Sequence, residues 1–180
     1  DDVNPLLVSK GNTALRNSAN HDVQLIFNRM DWANGKQLRV MALYTYMQDH
    51  ITRAVLFDKN TGVTTVSPMN IDGSQRIAAS ASYNCPITRN RRFRFGGNAT
   101  VSHSLSKEFV NDLQKVDNSS ARTSANFTYE KGKYLITLGG AFNYNHIASA
   151  RDGFNTLNLM DFSYGINGKM PLPFGFELSG

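Results

Sequence analysis

The side chains most capable of chemistry are gathered in one run, Thr88-Arg89-Asn90-Arg91-Arg92-Phe93-Arg94-Phe95. Four arginines interleaved with two aromatics could hold a nucleic-acid strand, the cations on phosphates and the rings stacked on bases. The same run also fits a hairpin turn feeding a strand, with Arg89 and Arg91 in water. Its strict alternation from Arg92 to Phe95 favours the turn, so nucleic acid is not expected as a partner.

Other constellations are sparse. His21, His50, His103 and His146 form no pair at metal-ligand spacing, and His-x-x-x-His is absent. His50, His103 and His146 fall where strands give way to polar stretches, which predicts solvated histidines at one rim. Serine and threonine abound, but no Gly-x-Ser-x-Gly elbow occurs, nor a Gly-x-Gly-x-x-Gly or Walker pattern. Asp72-Gly73 and Asp152-Gly153 read as turns, because the later acidic ligands of a calcium loop are missing. Cys85 is the single cysteine, which excludes an internal disulfide and a cysteine-based metal cluster. The residues therefore predict no catalytic site, no metal and no cofactor.

The elements that would carry these groups follow from composition and periodicity. Charged residues make up 18% and hydrophobic residues 41% of 180 residues, with nineteen Asn and 14 Gly. Asn, Gly and Thr are poor helix formers, which argues against a helical bundle. At 11% aromatics the chain is too apolar for disorder. The net charge of +5 is spread along the chain. No run of about eighteen apolar residues exists, which excludes a transmembrane helix.

The dominant signal has period two. Ile77, Ala79, Ala81 and Tyr83 alternate with Arg76, Ala78, Ser80, Ser82 and Asn84. Phe93, Phe95, Ala99 and Val101 alternate with Arg92, Arg94, Asn98 and Thr100. Thr123, Ala125, Phe127 and Tyr129 oppose Arg122, Ser124, Asn126 and Thr128, and Leu138, Phe142 and Tyr144 oppose Thr137, Asn143 and Asn145. Met160, Phe162, Tyr164 and Ile166 oppose Asp161, Ser163 and Asn167. Val23, Leu25 and Phe27 alternate with Gln24 and Asn28, with Ile26 out of pattern. Leu38, Val40, Ala42, Tyr44 and Tyr46 do so with Met41 and Leu43 out of pattern. Such alternation gives a strand one apolar and one polar face. Several runs reach ten residues, and a membrane-crossing strand needs about nine to eleven.

Short turn-forming stretches at 31–36, 86–90, 130–133 and 167–169 alternate with longer polar stretches at 48–73, 104–120 and 146–155. Short turns on one side and long loops on the other are the layout of an outer-membrane barrel. The expected fold is all-β: an antiparallel up-and-down meander of about eight long strands, part of a transmembrane β-barrel. Residues 1–180 read as a single segment of that barrel domain without a plug domain. The chain starts without Met and stops within an alternating pattern at Leu178-Ser179-Gly180, which predicts a fragment of a longer protein. Trp32, Tyr44, Tyr46, Tyr83, Phe93, Tyr129, Tyr134, Tyr144 and Tyr164 lie near predicted strand ends, where a bilayer would use them as aromatic girdles.

Asn4-Pro5-Leu6-Leu7 followed by Ser18-Ala19-Asn20-His21-Asp22-Val23-Gln24-Leu25 resembles the "NP-x-L … S-H-N-x-x-L" stretch of TonB-dependent receptor barrels. Asp58-Lys59-Asn60-Thr61-Gly62-Val63-Thr64-Thr65 with Pro68-Met69-Asn70-Ile71-Asp72-Gly73 is similar to the "D-x-x-T-G-V-x-T … P-x-N-V-D-G" segment of the outer-membrane β-barrel family found in Bacteroidetes receptors. The strand ending Tyr83-Asn84-Cys85-Pro86-Ile87 resembles that family's strand before a basic turn. The resemblance implies a barrel of about twenty-two strands in the cell outer membrane, of which this chain is roughly a third. It further implies import of a bulky nutrient driven by the TonB system, with outer-membrane lipid, the TonB system and a plug as partners. The solute is unknown. Ligand contacts are expected from lumen-facing polar residues near the outer rim and from the stretches 57–73 and 107–117.

Two other architectures satisfy the alternation. One is a soluble, lipocalin-like β-barrel binding a small apolar ligand, with the apolar set inside. The other is a small structural outer-membrane barrel. In the transporter reading Phe93, Phe127, Phe142 and Phe162 face hydrocarbon; in the soluble one they meet in a dry centre.

Overall fold

The computed structural model describes residues 6–150, 153, 155–171 and 177–179. Asn4 and Pro5 of the first motif, Asp152 and Gly180 lie outside them. Among the described residues there is no helix, and the strands join into one sheet.

The strands are β1 (Leu7–Ser9), β2 (Ala19–Asp31), β3 (Lys36–Gln48), β4 (His50–Phe57), β5 (Thr64–Ile71), β6 (Ser74–Pro86), β7 (Phe93–Val110), β8 (Asp112–Lys131), β9 (Tyr134–Ser149), β10 (Leu157–Pro171) and β11 (Glu177–Ser179). The wall is an antiparallel meander in the order β2, β3, β6, β7, β8, β9, β10, β11. Eight wall strands match the expected number. Among the described residues the sheet is open: β2 pairs only with β3, and β11 only with β10.

Registers place the alternating sets on common faces. Phe127 is flanked by Phe95 and Leu138, and Phe142 by Thr123 and Phe162. On the other face Thr100, Arg122, Asn143 and Asp161 form one cross-strand row. Phe93, Phe127, Phe142 and Phe162 are 46%, 50%, 38% and 68% exposed, so the rings stand on an outer surface and not in a dry interior. The out-of-pattern residues have a place too. Ile26 pairs with Met41 and Leu43 with Gln24, all on the polar face.

Two expectations are corrected. Asn167-Gly168-Lys169 is not a turn but the interior of β10, because its backbone groups pair with Leu135, Ile136 and Thr137. The stretches 48–73 and 104–120 are not loops but mostly paired strand: β4 and β5 form a hairpin, and β7 and β8 run 18 and 20 residues to a tight turn at Asn111. Crossing a bilayer needs about nine to eleven residues, so in a membrane each long strand would project roughly 25–35 Å past it at the usual rise. Neither face of that stretch has to be apolar, so its sequence loses the alternation while its backbone pairing persists.

Candidate functional site

The projecting strands build the site. Strands β3 and β4 are one strand interrupted at Asp49, and β5 and β6 are one strand interrupted at Asp72-Gly73. The register runs unbroken across the gap, from Met47 opposite Ser74 to His50 opposite Ile71. Asp49 (φ 49°) and Gly73 (φ 84°) both take the left-handed backbone that lets the hairpin bend. Past the bend, β4 pairs in parallel with the end of β7, Ala54 opposite Phe109 and Val55 opposite Val110. On its other side β5 pairs in parallel with β1.

The motif residues that carry the family resemblance hold this bend in place. Asn70 donates from Nδ2 to the carbonyls of Asp49 (2.6 Å) and Arg16 (2.9 Å), and its Oδ1 accepts from the Arg16 N–H (2.8 Å). Asp72 Oδ1 accepts from the Asp49 N–H at 2.6 Å. Arg16 Nη2 lies 2.6 Å from Asp49 Oδ1, an ion pair that compensates this oxygen without a well-aligned hydrogen bond. Ala54, Ile71, Asp49 and Ser74, four of the five buried residues among those described, lie at or near the bend; the fifth, Gly96, lies in β7 near the turn end. Most of the burial is therefore at the bend, away from the short turns.

The hairpin tip is shaped by the first half of the same motif. Asp58 accepts from the Asn60 N–H (2.9 Å) and from Thr61 Oγ1 (2.8 Å), and its carbonyl accepts from the Gly62 N–H (2.9 Å). The backbone bond to Asn60, then the side-chain bond to Thr61, holds the Asp58 carboxyl below its ordinary value of 3.8.

The stretches 57–73 and 107–117, expected to contact ligand, are brought together. Lys107 Nζ donates to the Asp72 carbonyl (2.7 Å), and the Lys107 N–H to Ser74 Oγ (3.3 Å). The Asn111 N–H donates to the Val55 carbonyl (2.8 Å), and Asn111 Oδ1 accepts from the Phe57 N–H (2.6 Å). The result is a small rigid sheet held beyond the wall. One of its faces presents Val8, Leu56 and Leu113, all exposed. Such a surface can receive a solute with mixed polar and apolar contacts.

His103 and His146 share a cross-strand row, each opposite Ser119; His103 Nδ1 lies 2.9 Å from Ser119 Oγ, and His146 Nδ1 lies 2.7 Å from Asn158 Oδ1. His50 stands apart on β4, opposite Ile71. Among the described residues no group of three or more metal-ligating side chains converges. Of the basic run, Arg94 pairs with Glu130 at 2.6 Å on the polar face, Phe93 lies against Tyr129 with ring centroids 4.7 Å apart, and Arg91 Nη2 donates to the Ala33 carbonyl (2.9 Å), tying two turns together. Arg91, Arg92, Arg94 and Glu130 line a cavity of about 750 Å³ at that end of the polar face. Tyr164 departs from the expected girdle: it sits mid-strand opposite Gly140.

Sequence reasoning missed Arg16, β1 and the bend at Asp49. The polar triplet Gln48-Asp49-His50 was the available signal for the bend. Nothing in the sequence announces a contact between Arg16 and residues 54 positions away.

In comparison with known proteins, the model of a family described as "Outer membrane protein beta-barrel family" matches residues 1–166. No curated protein and no solved structure matches the chain.

Proposed function

The chain belongs to the outer membrane protein beta-barrel family and is an outer-membrane barrel protein; from that premise we propose that it forms part of the wall of a TonB-dependent receptor that imports a bulky nutrient. The observation that carries the proposal is the inner face. A closed eight-stranded barrel fills its interior with side chains. Here the row Asn84, Gly96, Asn126, Gly139, Gly165 and the row Ser82, Asn98, Ser124, Ala141, Ser163 are small and polar, and among the described wall residues only Ser74 and Gly96 are buried. Such a face suits a wide bore. The rigid outer hairpins would receive the solute, and the polar face would pass it inward.

A plug and the TonB system would act from the turn end, where the cavity around Arg94 and Glu130 opens. No enzymatic step is part of the proposal.

The test is growth. A strain lacking the protein is compared with its parent across bulky nutrients (oligosaccharides, peptides and metal chelates), each with and without a working TonB system. A defect on one nutrient that loss of the TonB system does not deepen supports the proposal. Indifference to every nutrient, or a defect that adds to that of TonB loss, refutes it.

A further inference from the structure

The net positive charge, expected to be spread along the chain, is instead gathered by the fold at the turn end. Residues 29–36, 87–94 and 130–133 carry eight lysines and arginines against two acids, Asp31 and Glu130. Most of these cations belong to the basic run and the inner cavity. Arg29 and Lys36 do not. Arg29 pairs with Leu38 and Lys36 with Asp31, so the two cations are diagonal neighbours on the apolar face, in line with Val23, Leu25 and Phe27 on one strand and Leu38 and Val40 on the other. Diagonal neighbours across an antiparallel pair stand about 7–8 Å apart, a span that one phosphate group can bridge.

Arg29, Asp31, Lys36, Leu38 and Tyr83 line one cleft of about 270 Å³ on that face. Asp31 could neutralise it, but its carboxylate is turned to the loop: Oδ1 accepts from the Asn34 N–H (3.0 Å) and Oδ2 from Asn34 Nδ2 (2.7 Å). Among the described residues neither Arg29 nor Lys36 has a carboxylate within ion-pair distance, although Asp31 opposite Lys36 attracts it from further off. A cation on the lipid face is tolerated at the interface and not at midplane, which sets this cleft at headgroup depth. Trp32, 81% exposed in the adjoining turn, is the kind of side chain that anchors there.

We propose that the cleft between Arg29 and Lys36 is a binding site for the phosphate of an anionic phospholipid headgroup in the turn-side leaflet. The inference rests on the membrane placement of the wall. The guanidinium and ammonium groups flank the phosphate, Leu38 and Tyr83 lie against the upper acyl chain, and two cations against the one carboxylate of Asp31, itself bonded to Asn34, leave the site net positive. Anionic lipid near such a pair is enriched over zwitterionic lipid by simple attraction.

Trp32 reports on the site. The protein is reconstituted into vesicles of phosphatidylcholine containing a fixed fraction of either phosphatidylglycerol or phosphatidylcholine brominated high on its acyl chains, with the Trp32→Phe protein as background. The expected result is at least twofold stronger quenching of Trp32 by brominated phosphatidylglycerol. That preference should be absent in Arg29→Gln/Lys36→Gln and kept in Lys59→Gln at the opposite end. Equal quenching by the two lipids, or a preference that survives the double substitution, overturns the proposal. Loss of the preference on adding millimolar inorganic phosphate at constant ionic strength assigns the cleft to free phosphate and overturns it as well. No quenching by either lipid overturns the membrane placement itself.

Discussion

Replacing Asn70 by Ala should release the outer hairpin while leaving the wall intact. Asn70 makes three hydrogen bonds across the bend, two donated and one accepted, linking β5 to Asp49 and to the backbone of Arg16. Each such bond is worth about 1 kcal/mol net, and leaving a part-buried carbonyl unpaired adds to the loss. The substitution should therefore weaken the docked state by about 3 kcal/mol, roughly a hundredfold in the local opening equilibrium. Hydrogen exchange on the reconstituted protein separates local from global effects. Amides of β4 and β5 should exchange about a hundredfold faster, and those of β9 and β10 at their original rates. Unchanged exchange in β4 would show that the docking depends on the Asn111 and Lys107 contacts alone. Equal acceleration in β9 would show that bend and wall are one cooperative unit. Either result refutes the account of the bend.

A Cβ at Gly96 would lie 2.5 Å from Asn126 Oδ1 and 2.9 Å from Asn84 Oδ1. Gly96→Ala should lower stability to urea by about 1–3 kcal/mol, as overpacking does, with Asn126→Ala in the same chain restoring part of it. Phe127→Arg places a cation on the outward face and should lower stability in liposomes by about 2–4 kcal/mol, whereas Thr100→Arg on the polar face should change it by less than about 1 kcal/mol. The Asp58 carboxyl is held below 3.8 by its bonds to Asn60 and Thr61. Its contribution to the tip is thus present above that value and is lost as pH falls through the lower folded-state value. The Gly62 amide resonance should titrate with a midpoint under 3.8, and that titration should vanish in Asp58→Asn.

The wall was legible in the sequence because a half-buried strand must alternate, and residues such as Phe93, Phe127 and Phe162 have no freedom to break the pattern. The stretches 48–73 and 104–120 were illegible as strands for the converse reason. Outside the bilayer neither face must be apolar along its length: a few side chains such as Ala54 and Ile71 pack at the bend and many others meet water, so pairing leaves no hydrophobic period. The turn misplaced at 167–169 shows the limit of dipeptide signals: Asn167-Gly168 is a good turn pair, yet in mid-strand it pairs with Thr137 and Ile136. The proximity of 57–73 to 107–117 was not legible. It depends on a bend at one aspartate and on a parallel contact of two residue pairs, and neither leaves a local signature.

The unbroken register from Gln37 to Asn84 bears on assembly. A hairpin whose partners sit at constant offset on both sides of a bend can zip from its Asp58 tip down to its turn-side ends in one pass, using contacts close in sequence. Loop closure is then brief and the contact order low, which favours fast folding. The tip must also travel through the bilayer to reach the far side, and it can do so already paired, with few bare amides exposed to hydrocarbon. The contacts of Asp72, Asn70 and Arg16 at the Asp49 bend then fasten the hairpin on the side it has reached.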